Sequence, residues 1–176
     1  GSTSGVIAGI NWVIKDHTTG KAVANLSLGG GISTSMDSAV QSLINDGVTT
    51  VVAAGNSTTN AINSSPARVA DAITVGATDS TDSIAYYSNF GSIVDVFAPG
   101  SAIKSAWIGS NSATNSISGT SMASPHVAGA WAAILSGIAN TTAKTWGYSN
   151  AGIVKLSASA ISANTTTKLL YKNPNL

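Results

Sequence analysis

Three observations predict an α/β fold in which a parallel sheet is covered by helices on both faces. Short β-branched runs alternate with segments of helical apolar spacing. Val48 to Ala54 is apolar or β-branched throughout, the composition of a strand buried on both sides. Glycines follow two of the strand runs, at Gly29 and Gly55, where such a sheet hands the chain on to its next segment. With 176 residues, 43% of them apolar, the chain can bury a sizeable core and fits one domain.

The elements follow in order. Val6, Ile10, Val13 and Ile14 recur at helical spacing and stop near Asp16-His17-Thr18-Thr19-Gly20, which predicts a first helix ended by turn formers. Lys21 to Leu28 is a short strand-like run closed by Gly29-Gly30-Gly31. Met36, Ala39, Val40, Leu43 and Ile44 form a second helical stripe, with Ser33, Thr34 or Ser35 as its cap and Gly47 just past its end. Ala72 to Ala77 and Ile93 to Ala98 repeat the buried-strand character of Val48 to Ala54. Asn56 to Pro66 and Thr78 to Ser88 are polar loops where function should concentrate. Ser121 to about Gly137 is rich in Ala and Gly, which predicts a buried helix lying close to neighbouring backbone. From Gly152 the tail carries a weak helical pattern and then a polar surface run to Pro174.

Composition narrows the function classes. Lys and Arg are scattered singly, net charge is +1 and only 9% of residues are charged, so neither nucleic acid nor an anionic membrane is an expected partner. No run of about 18 apolar residues and no basic leader is present, so no membrane span or signal peptide is expected, and the start looks internal or processed. There is no glutamate, and solubility rests on Ser, Thr, Asn and Gly, a balance that suits the outside of a cell. With no cysteine, the redox compartment is silent.

Ser121, in Gly119-Thr120-Ser121-Met122-Ala123-Ser124-Pro125-His126, heads its helix as either a nucleophile or a plain cap. His126 follows five residues later, which turns it about 140° away from Ser121 on a helix. It is expected to be a packed structural histidine, and His17 a solvated surface one. A Gly-x-Ser-x-Gly hydrolase elbow fails, because that fold places its acid after the serine and Asp95 is the last acid in the chain. Asn56 ends Val51-Val52-Ala53-Ala54-Gly55-Asn56, where its amide is either a turn residue or a donor to an oxyanion.

Together with Asn25-Leu26-Ser27-Leu28-Gly29-Gly30-Gly31 and Ser64-Ser65-Pro66-Ala67, these segments resemble the subtilisin-like serine proteases, the proteinase K branch and its secreted fungal relatives in particular. The resemblance implies a secreted endopeptidase acting on protein or peptide substrates, with Ser121 as nucleophile and the Asn56 side chain and Ser121 N–H as oxyanion donors. It makes Ser27, Leu28 and Gly29 the segment that pairs with an extended substrate. Ala53, Ala54 and Gly55 become a wall of the pocket for the side chain before the scissile bond, which implies broad specificity with a preference for large hydrophobic residues. No cofactor is implied for the chemistry, and Asp95 with the carbonyls of Ala70 and Ala72 would hold a structural calcium ion.

The family's catalytic aspartate and histidine motifs, Asp-Thr/Ser-Gly and Gly-His-Gly-Thr, occur nowhere in this sequence. Residues 1–176 are therefore expected to form a single incomplete catalytic domain, its later three-fifths, without the N-terminal strands. An N-terminal fragment of the same protease would be the partner supplying Asp and His. Alone, the chain is expected to be nearly inactive and aggregation-prone, with an open strand edge and an uncovered apolar face at Ala22 to Leu28. The alternative is an inactive fragment or pseudoenzyme that keeps the peptide-binding groove.

Overall fold

The structure, a computed structural model, describes residues 1–137, 152–153, 160 and 163–170. Helix α1 (Thr3–Asp16) leads into β1 (Ala22–Leu26), α2 (Thr34–Asn45) and β2 (Val48–Ala53). Strands β3 (Ile73–Thr78) and β4 (Val96–Pro99) follow, then an exposed antiparallel hairpin of β5 (Ile103–Ala106) and β6 (Thr114–Ile117), and helix α3 (Thr120–Gly137). Two-residue strands β7 (Gly152–Ile153) and β8 (Lys168–Leu169) complete a six-stranded sheet in the order β1-β2-β3-β4-β8-β7. β1 to β4 and β8 are parallel, and β7 runs antiparallel to β8.

Strand β2 explains the layering. Successive side chains of a strand point to opposite faces. Val51 accordingly packs with Val75 under Ala123, Val127 and Trp131 of α3, whereas Val52 packs with Met36, Val40 and Leu43 of α2 and Ile10 of α1. Both valines are fully buried. Each burial contributes about 1.5–3 kcal/mol. That double demand is why the strand is apolar on both sides, and it sets helices on both faces of the sheet.

The caps fall where the turn chemistry requires. Ser33 is the residue that caps α2, its Oγ accepting from Met36 N–H at 3.3 Å. Gly47 takes φ +93 just beyond that helix, a backbone angle open to glycine.

Several expectations need correction. β1 has its open edge, and its faces are partly covered, not bare: half-buried Val23 packs on the α3 side, and half-buried Ala22, Ala24 and Leu26 on the α1 and α2 side. α3 is half-exposed, because Ala123, Val127, Trp131 and Leu135 face the sheet while Pro125, His126, Gly129 and Ser136 face outwards. His126 is therefore exposed, not packed, although its Nδ1 does bond Met122 O at 2.8 Å. His17 is not a free surface residue, since its Nδ1 meets Asp46 Oδ2 at 2.7 Å. The run from Ile93 is a strand only from Val96. Within the tail, Gly152–Ile153 is strand where the helical pattern was expected to begin, and the run from Tyr171 to Pro174 lies outside the described residues.

Candidate active site

An open cleft of about 680 Å³ lies at the carboxyl ends of β1 and β2, beside the head of α3. Leu28, Gly29, Ala53, Ala54, Gly55, Asn56, Thr120 and Ser121 all line it. Every lining residue is uncharged, so the cleft offers shape and hydrogen bonds and no fixed ion for a substrate side chain.

Thr120 ties the two ends of the site together. Its N–H and its Oγ1 both donate to Asn56 Oδ1, at 2.8 and 2.9 Å, and its Oγ1 accepts from Gly55 N–H at 3.1 Å. An amide N–H can only donate, so the Asn56 atom facing Thr120 must be the oxygen. The Asn56 NH2 then remains as the donor end, one residue away from Ser121 along the tether.

Buried Asn89 braces the loop from beneath. Its Nδ2 donates to Ala54 O at 2.8 Å, and its Oδ1 accepts from Ser57 N–H at 3.0 Å and Thr59 N–H at 3.1 Å. Gly55 makes room for it: φ is +103, and a Cβ on Gly55 would stand 2.4 Å from Asn89 Nδ2.

Ser27 is not part of the cleft lining, but it and Ser121 hold each other at the cleft's edge. Ser121 Oγ donates to Ser27 O at 3.2 Å, and Ser27 Oγ donates to Ser121 O at 2.8 Å. Neither histidine is hydrogen-bonded to Ser121: His126 is engaged with Met122 and His17 with Asp46 and Gly20. The Asp46 hydrogen bond raises the His17 pKa above its usual 6.5, the Gly20 carbonyl adding to the rise against partial desolvation.

The residues Asp95, Ala70 and Ala72 do not join this cleft. Asp95 immediately precedes β4, beside the start of β3, and its Oδ2 accepts from Thr74 N–H at 2.8 Å. Among the described residues no three His, Cys, Asp or Glu side chains gather as a metal cluster. A hard cation at Asp95 would thus find at most two such side chains and would depend on main-chain carbonyls, which calcium accepts.

Sequence reasoning passed over Thr120 and Asn89. The first carried a readable signal, a hydroxyl residue between Gly119 and Ser121. Asn89 offered none, because its bonds reach thirty and more positions back along the chain.

The class these features define is a layered α/β domain with a serine-headed helix and a side-chain amide opening on one strand-end cleft, the layout of a serine hydrolase scaffold. The subtilase family model matches residues 1–175, and the chain belongs to that family. It is 63% identical over 129 residues to subtilisin-like protease 2 of Pseudogymnoascus destructans, covering 73% of this chain and 32% of that protein. It is 47% identical over 167 residues to a cuticle-degrading serine protease of Arthrobotrys oligospora, covering 94% of this chain and 39% of that one. The extracellular serine proteinase of Thermus sp. (strain Rt41A) is 60% identical over 135 residues, 77% of this chain and 33% of its own length. The chain thus spans about a third of the curated relatives it matches. The crystal structure of a cold adapted subtilisin-like serine proteinase superimposes with a TM-score of 0.88 at 50% identity, covering 98% of this chain and 62% of that one.

Proposed function

We propose that residues 1–176 are the serine-bearing, later part of a secreted subtilisin-like endopeptidase domain whose catalytic aspartate and histidine come from a separate N-terminal segment. In that assembly Ser121 attacks the scissile carbonyl once the incoming imidazole takes its proton, and the Asn56 amide and Ser121 N–H receive the oxyanion. The observation that carries the reading is the Thr120 tether, which engages the Asn56 oxygen from the residue before Ser121 and leaves the Asn56 NH2 as the donor end. No cofactor is needed for this chemistry.

Substrates are proteins or peptides bound in extended form along Ser27, Leu28 and Gly29, with the side chain before the scissile bond against Ala53, Ala54 and Gly55. Small, uncharged walls support broad specificity with a preference for large hydrophobic side chains. The edge position of β1 supports docking of the N-terminal segment there, since among the described residues its outer main-chain groups have no strand beside them. Secretion is supported by the composition and by the extracellular naming of the Thermus relative. A structural calcium ion at Asp95, with the carbonyls of Ala70 and Ala72, belongs to the same proposal.

A specific observation favours a second reading, the inactive fragment or pseudoenzyme that binds peptide without cutting it: the Ser121 proton is engaged by the Ser27 carbonyl and, among the described residues, by no base. Labelling with a serine-directed phosphonate separates the two. Mixed with an N-terminal segment of about 100 residues, the chain is expected to be labelled at Ser121 and to hydrolyse a peptide. An unlabelled Ser121 in a formed complex would refute the protease reading.

A further inference from the structure

The head of α3 lacks one of its own hydrogen bonds. Within an α-helix the carbonyl of residue i accepts from the N–H of residue i+4. The residue matched to the Ser121 carbonyl is Pro125, which has no N–H. A donor from outside the helix fills the place: Ser27 Oγ donates to Ser121 O at 2.8 Å.

That donor is itself fixed. Asn25 Nδ2 donates to Ser27 Oγ at 2.9 Å, and Ser124 Oγ donates to Asn25 Oδ1 at 2.6 Å. Ser124 is fully buried on α3, so the chain of bonds starts and ends on the same helix. A serine hydroxyl has one proton. With Asn25 donating to its oxygen, Ser27 directs that proton to the Ser121 carbonyl.

We propose that the Ser27 hydroxyl is a positioning residue for Ser121, replacing the amide proton that Pro125 removes and so holding the Ser121 carbonyl and the helix head in register with Asn56. The role is separate from the substrate pairing proposed for the Ser27 main chain, and it rests on the reading of Ser121 as nucleophile. Because the hydroxyl acts through Ser121 and not on the substrate, its loss should fall on kcat.

The test uses this chain assembled with the segment that supplies Asp and His, acting on a chromogenic peptide. Ser27→Ala is expected to lower kcat by about 5- to 10-fold, the scale of one neutral hydrogen bond, with KM changed by less than about twofold. Pro125→Ala restores an N–H at the matching helix position. In that background Ser27→Ala is expected to change kcat by less than about twofold, a coupling that independent sites would not show. Equal losses in both backgrounds, or a loss confined to KM, overturn the proposal.

A second readout does not depend on turnover. Both methionines follow a serine, as Ser35-Met36 and Ser121-Met122, so 13C-carbonyl serine with 15N-methionine isolates two carbonyl resonances. Ser27→Ala should move the Ser121 signal, leave that of Ser35 in place, and lose its effect when Pro125→Ala is added. An unmoved Ser121 carbonyl overturns the proposal. An unmodified assembly that hydrolyses nothing refutes the nucleophile reading and the positioning role with it, whereas a hydrolysing assembly indifferent to Ser27→Ala refutes the positioning role alone.

Discussion

Replacing Gly55 by alanine tests the floor of the cleft with one methyl group. The added Cβ would lie 2.4 Å from Asn89 Nδ2, far inside contact distance, and φ at this position is +103. The left-handed backbone costs an ordinary residue about 1–2 kcal/mol. Displacing the Asn89 amide also strips the hydrogen bond from the Ala54 carbonyl, which belongs to a fully buried residue. An orphaned buried acceptor costs about 1–3 kcal/mol more. Gly55→Ala should therefore destabilise the fold by roughly 2–5 kcal/mol. Urea denaturation followed by fluorescence of buried Trp131 measures it on the assembled protein. The same substitution in an Asn89→Ala background should keep only the backbone part, since the clash is gone. A Gly55→Ala penalty below about 0.5 kcal/mol, or penalties that simply add, would refute the account of Asn89 as the brace.

Asn56→Ala in the assembled enzyme should lower kcat by about 10²–10³, the loss established for side-chain oxyanion donors of subtilisins, with KM nearly unchanged; steady-state kinetics on a peptide substrate decides it. The His17 and Asp46 pair gives a pH signature. Its stabilisation is fully present below the ordinary histidine value of 6.5 and is lost as pH rises through the raised value, so thermal midpoints of the unmodified protein and His17→Gln should converge towards alkaline pH. For the proposed calcium site, chelation should lower the thermal midpoint of the unmodified protein, and Asp95→Asn should abolish that sensitivity.

What was legible in the sequence is what local chemistry forces. Val48 to Ala54 read as a doubly buried strand, which forms over Val48–Ala53, and Ser33, Thr34 or Ser35 with Gly47 bracketed α2, because caps and burial patterns are short-range facts. Ser121 and Asn56 could be joined only through the family resemblance and not by local chemistry, since the residue that ties them, Thr120, acts across 64 positions. The β5 and β6 hairpin left no apolar alternation to read, being exposed along nearly all its length. Ile93 to Ala98 promised a longer strand than forms. Asp95 turns its side chain to Thr74 N–H, and ladder pairing with β3 begins only at Val96. The meaning of Pro125 was available four residues after Ser121, yet finding what answers it required coordinates.

Asn25 and Ser27, which secure the start of α3, sit in and just beyond β1, the outermost strand of the sheet. Peripheral strands open at lower free energy than central ones. Mild denaturant should then release Ser121, the proposed nucleophile, from its geometry in the isolated chain while β2 and β3 remain intact, so that its carbonyl resonance shifts at a lower urea concentration than the far-ultraviolet signal of the sheet. The rim of the molecule, and not its core, would set its working endurance.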